Sequence, residues 1–90
     1  MDELTILRNK ITRVDQEILA LFEKRMALVA EISQYKKTHH LAILDKEREK
    51  ALLDFLTTKL ENRHLIVYYQ ELFHAFMKIS QDYQKELHQN

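Results

Sequence analysis

From Leu4 to Tyr35 the chain sets an apolar residue every three or four positions, and nothing in that stretch would break a helix. The stripe runs Leu4, Leu7, Ile11, Val14, Ile18, Leu21, then Leu28, Ile32 and Tyr35. Alternating steps of three and four give a heptad period, the mark of an α-helix with one apolar seam. The whole chain lacks Gly and Pro, so neither the most permissive nor the most disruptive backbone residue interrupts it. The spacing predicts one helix from about residue 3 to about residue 37, roughly 50 Å long at 1.5 Å per residue. Ninety residues make one small domain, expected to span 1–90. A helix of that length outreaches such a globule and needs a partner along it, most simply a second copy of the chain.

The rest of the chain reads as two shorter helices. Lys37–Leu44 breaks the pattern and is expected to be a loop. Asp45 suits the N-cap of a second helix, with Glu47 and Glu49 in its first turns and Leu52, Leu53, Leu56 and Leu60 turned inward. Residues 61–64 form a short connection. A third helix from about Leu65 to about Leu87 is expected to present Leu65, Tyr69, Leu72, Phe73, Phe76 and Leu87 on one face. The fold class is all-α, with three helices per chain assembled as a helical homodimer.

Composition removes several kinds of function. Lys plus Arg and Asp plus Glu both number 14, so there is no basic surplus to grip nucleic acid. No apolar run approaches the ~18 residues of a membrane span. The opening MDELTILRNK is acidic, unlike a secretory leader, and the final KELHQN carries no anchor signal. The absence of Cys excludes disulfides, thiolate metal sites and a thiol nucleophile, and fits a cytoplasmic location.

Against this background several polar residues occupy positions that should be dry. Heptad logic asks for an apolar residue at 25 and finds Arg25. Eleven residues on, about 20° from the same line, is Lys36. Glu49 falls among the inward leucines of the second helix, with Arg48 at the edge of that face. Ser80 and Gln84 continue the stripe of Phe73 and Phe76. Each alone has an ordinary explanation: snorkelling stems, surface pairs, a fraying end. Together they would cost several kcal/mol if buried without compensation. Arg8, Arg25, Lys36 and Arg48 against Asp45 and Glu49 leave +2, which suits a small dianion. Arg grips carboxylates in a bidentate fork, Lys is a point charge, and Ser and Gln add neutral hydrogen bonds. Arg8 precedes Arg25 by 17 residues, roughly 25 Å along a straight helix. No small ligand spans that, so either Arg8 has another task or a partner chain supplies it.

These residues closely resemble the all-α chorismate mutases of the AroQ class. The likeness covers LRNKITRVDQEILALFEKR, then Lys36, LDKERE and ISQDYQ, essentially the whole chain at the family's spacing. One departure is Ala42, where many members have Pro before the second helix. The resemblance implies an intertwined homodimer with two equivalent sites, each taking Arg8 from the partner chain. It implies rearrangement of chorismate to prephenate, towards phenylalanine and tyrosine, with no metal, cofactor or covalent intermediate. It implies that Arg8 and Arg25 hold the two substrate carboxylates, with Ser80 assisting. Lys36 and Gln84 would donate to the ether oxygen. Glu49 and the Asp45 region would hold the ring hydroxyl, with Arg48 supporting Glu49. A Gln at 84 donates at any pH, so activity is expected to vary little across neutral pH.

Three alternatives stand beside this reading. Isochorismate-pyruvate lyase shares the fold and the early Arg and Lys positions, but Asp45, Arg48 and Glu49 favour the mutase. A mutase acting on an amino analogue of chorismate is separated poorly by sequence. A non-enzymatic helical dimerisation module fits the heptads but gives no reason for Arg25, Lys36, Glu49, Ser80 and Gln84 to occur together. Glu71 and His74 match half of a di-iron motif that needs two copies, and His39-His40 lacks helical spacing to a second ligand pair. These are read as ordinary surface residues.

Overall fold

A computed structural model describes residues 2–89; the end positions 1 and 90 of the expected domain lie outside them. Among the described residues the elements are α1 (Glu3–Thr38), α2 (Lys46–Lys59), a single 3-10 turn at Arg63–Leu65 and α3 (Ile66–His88). There is no strand among them, and no helix is long and apolar enough to cross a membrane. The long first helix, the loop after it and the short connection before α3 follow the sequence expectations to within a residue or two.

Local chemistry explains where each helix starts and stops. Asp2 accepts from the Thr5 amide at 2.8 Å and caps α1, and that bond holds its carboxyl below the usual range. Asp45 does the same for α2, accepting from the Arg48 amide at 3.0 Å. Arg63 closes the far end of α2, where its guanidinium donates to the Thr57 carbonyl at 2.5 Å and to that of Leu60 at 3.4 Å. A cation there meets both the orphan carbonyls and the negative end of the helix dipole.

The end of α1 is a Schellman motif built without glycine. The Leu41 amide donates to the Lys36 carbonyl at 2.8 Å, and the His40 amide to that of Lys37 at 3.4 Å. This geometry needs one left-handed residue, and His40 takes it at φ 55°. His39 stacks on Tyr35 with ring centroids 4.0 Å apart.

α3 lies along the C-terminal half of α1 and runs in the same direction. Arg25 meets Ser80, and Ser33 meets His88, each pair 55 residues apart in sequence. α2 packs back against α3 in the opposite sense, with Glu49 at Gln81 and Leu53 near Phe73. The buried line of α3 is Phe73, Met77, Ser80 and Gln84, a 4-3-4 spacing on one face. Leu65 and Leu72, expected on that face, are exposed, because Leu72 is turned about 100° from Phe73. On α1 the packed line is Arg25, Val29, Ser33 and Lys36. Val29 and Ser33 are buried there, whereas Leu28 and Ile32 of the heptad seam stay exposed.

The apolar seam therefore faces away from the chain's own core. Residues 6–21 are exposed without exception. The accessible surface is 7645 Å², against about 5,600 Å² for a compact monomer of this mass. The radius of gyration is 16.6 Å, where a compact chain of this length gives about 12 Å. The long axis, 55 Å, is essentially the length of α1.

Candidate active site

One cavity of about 340 Å³ opens where the three helices meet. α1 contributes Arg25, Val29, Ile32 and Lys36; the loop contributes Ile43 and Asp45. Arg48, Glu49 and Leu52 enter from α2, and Met77, Ser80, Gln81 and Gln84 from α3. Seven of the eight residues singled out in the sequence thus line a single cavity. The eighth, Arg8, does not. It sits on the exposed half of α1, about 25 Å from Arg25 along the helix, and is itself exposed.

The helix geometry brings these groups together for simple reasons. Arg25, Val29 and Lys36 recur at steps of four and seven, so they share the face of α1 that packs on α3. Ser80 and Gln84 are one turn apart on the facing stripe. Ser33, 1% exposed, keeps the two helices close below the cavity by being small. Among the described residues its hydroxyl has no partner. Asp45 caps α2 and so sits at the mouth of the cavity, with Arg48 and Glu49 in the first turn behind it. The cap engages one carboxylate oxygen of Asp45, so this residue orients α2 whatever else it contacts.

Hydrogen bonding fixes most of the lining. The Arg25 guanidinium donates to the Ser80 hydroxyl and lies 5.4 Å from the centre of the Phe76 ring. Ser80 in turn donates to the Phe76 carbonyl at 2.7 Å. Partial burial lowers the Arg25 pKa from its ordinary value, partly offset by the nearby Tyr69, yet guanidinium remains charged across the working range of proteins. The Lys36 ammonium donates to the Ile43 carbonyl at 2.8 Å, using one of its three N–H groups. Glu49 accepts from the Gln81 side-chain amide at 2.5 Å. Gln84, 6% exposed, has its amide oxygen buried without a partner among the described residues.

Three cations and two carboxylates line the cavity, net +1 for one chain. Arg25 is bonded to a hydroxyl and Lys36 to a carbonyl. Both partners are neutral, so neither bond cancels the positive charge. A cavity that holds half-buried cations against neutral partners is built to receive an anion. The lining offers no Ser–His or similar nucleophile and base pair. No three His, Cys, Asp or Glu side chains gather as a metal would need, among the described residues. Glu71 and His74 lie exposed on α3.

Sequence reasoning missed Gln81, Met77, Val29 and Ile43. Gln81 could have been found only by knowing the register of α2 on α3. Ile43 contributes a carbonyl, which no sequence pattern advertises.

Comparison with known proteins bears on the chain as a whole. The family model described as Chorismate mutase type II matches residues 7–85. A bifunctional chorismate mutase/prephenate dehydratase of Enterobacter agglomerans is 45% identical over 53 residues, 59% of this chain and 14% of that protein. The T-protein of Haemophilus influenzae is 42% identical over 53 residues, again 59% and 14%. The bifunctional chorismate mutase/prephenate dehydratase of Escherichia coli K12 is 36% identical over 66 residues, 73% of this chain and 17% of that protein. The chain thus matches only 14% to 17% of the length of these relatives. No solved structure matches it significantly.

Proposed function

The chain belongs to the chorismate mutase type II family, and from that premise we propose that its cavity converts chorismate to prephenate. The observation that carries this reading is the cavity itself: half-buried cations with neutral partners, the buried Gln84 amide and a carboxylate in one space of about 340 Å³. The reaction is a unimolecular pericyclic rearrangement. It needs no nucleophile, base or cofactor. It needs the extended substrate folded into its reactive shape, and donors aimed at the ether oxygen, where negative charge grows as the C–O bond breaks.

Each lining group has a task in that scheme. Arg25, braced by Ser80 and Phe76, takes one substrate carboxylate. Lys36 keeps two N–H groups beyond the one given to Ile43, and one of them donates to the ether oxygen. Gln84 donates to the same oxygen from α3 through its side-chain NH2 group. Glu49 accepts from the ring hydroxyl, with Asp45 and Arg48 at the mouth. Donors of this kind are worth about 10²- to 10³-fold each in rate.

Arg8 completes the site from a second copy of the chain. The exposed seam along residues 6–21 and the surplus of about 2,000 Å² of surface are what an obligate partner would cover, within the range of stable interfaces. A partner's α1 laid across the mouth brings its Arg8 to the second carboxylate and raises the local charge from +1 to +2, matching a dianion. The assembly is an intertwined homodimer with two equivalent sites.

The direct test is turnover by the purified chain. Chorismate should disappear with formation of prephenate, read by its acid conversion to phenylpyruvate, and Lys36→Ala should abolish it. Isochorismate run in parallel separates the lyase, since release of pyruvate with chorismate untouched would overturn the proposal.

A further inference from the structure

The hydrogen bond between α2 and α3 at the floor of the cavity has a consequence for catalysis that none of the sequence motifs suggests. The Gln81 side-chain amide donates to one carboxylate oxygen of Glu49 at 2.5 Å, and both residues line the cavity. We propose that Gln81 is a positioning residue that holds the Glu49 carboxylate on α3, away from the cations, with its second oxygen presented to substrate. This rests on the reading of the cavity as a chorismate site.

Three features support it. First, Glu49 shares a small cavity with Arg25, Lys36 and Arg48. An untethered carboxylate on a three-torsion side chain would fold onto one of those cations, since opposite charges attract strongly in a partly dehydrated space. Such a pair would remove both the acceptor and a donor from the substrate. Second, Gln81 is neutral. Its N–H satisfies one oxygen without neutralising the carboxylate, so Glu49 remains a full-strength acceptor on its other oxygen, because an ionised carboxyl has about four acceptor sites. Third, Gln81 follows Ser80 and precedes Gln84 by three residues. One short segment of α3 therefore serves three tasks at once: Ser80 on Arg25, Gln81 on Glu49, and Gln84 free toward the cavity. Nothing else in the structure as described fixes the Glu49 carboxylate, so its aim depends on this residue.

The test is a double-mutant cycle on the full chain. Gln81→Leu keeps helix propensity and side-chain bulk at a half-buried position. It should lower kcat/KM about tenfold, the scale of one hydrogen bond to a charged group, while leaving the melting temperature and dimer content unchanged. In a Glu49→Ala background the same change should cost less than about twofold, because its effect passes through Glu49. Gln81→Met, of equal length and also without a donor, should reproduce the Leu result and guards against a fault of packing. Gln81→Glu should be worse than either, since it sets a second carboxylate against the first. Equal losses with and without Glu49, or no loss with Glu49 intact, would overturn the inference while leaving the mutase reading in place. A wild-type chain that does not turn over chorismate would overturn that reading, and the role of Gln81 with it.

Discussion

If each site is shared, two dead variants must rescue each other, and by a fixed amount. Arg8 lies about 25 Å from Arg25 along α1, whereas a sphere of the cavity's volume, about 340 Å³, is only about 9 Å across. A ligand in the cavity that touches Arg25 cannot touch Arg8 of the same chain. Loss of either clamp removes up to two charge-assisted hydrogen bonds, about 3–6 kcal/mol together. Arg8→Ala and Arg25→Ala should each lose on the order of 10²- to 10⁴-fold in kcat/KM. When the two are unfolded together and refolded at equal amounts, half of the dimers are mixed. A mixed dimer has one site lacking both arginines and one site with both intact, so activity should return to about a quarter of wild type. That is at least 25-fold above either parent on these estimates. Steady-state turnover on the mixture reads the recovery, and native mass spectrometry of one tagged chain counts the mixed dimers. Proven mixed dimers that stay at the parental level would refute the shared site.

Two further outcomes follow from single residues. Wild-type activity should change little between about pH 6 and 8, because the Gln84 amide donates in every protonation state. Gln84→Glu should make the rate acid-dependent: a Glu donates only when protonated, so activity falls about tenfold per unit once pH exceeds its pKa. A flat pH–rate profile for that variant would remove Gln84 from the ether oxygen. His40→Gly should stabilise the fold. Relief of the left-handed Cβ clash, about 1–2 kcal/mol, outweighs the extra freedom given to the unfolded chain, about 0.4–1 kcal/mol. Thermal unfolding at fixed protein concentration should shift upward by a few degrees, and a downward shift would contradict the strain.

Much of this architecture is legible in the residues. The heptad run, the absence of Gly and Pro, and Asp45 ahead of an apolar periodic stretch set the helices and their ends, because those are local preferences. Arg25, Lys36, Glu49, Ser80 and Gln84 are visible as polar groups out of pattern. What periodicity does not report is which neighbour a face meets. α1 carries two useful faces one residue apart: Leu28 looks outward and Ile32 borders the cavity while staying exposed, whereas Val29 and Ser33 take α3. Both faces are helical, and only tertiary packing chooses between them. The pairing of Gln81 with Glu49 and of Lys36 with the Ile43 carbonyl depends on that choice, so neither can be read from spacing. The left-handed turn at His40 had no flag, since the usual glycine is missing.

The end of α1 carries a rule for how this chain can vary. Lys36 is tied twice to the segment that follows it: its carbonyl receives the Leu41 amide, and its ammonium reaches the Ile43 carbonyl. Both ties are to backbone atoms, which other residues supply as well, save a proline lacking the amide at 41. The connection is therefore permissive in spelling and strict in length. Side chains at 41–43 can drift, but one residue added or removed would shift the ammonium itself, so this loop behaves as a ruler rather than a spacer.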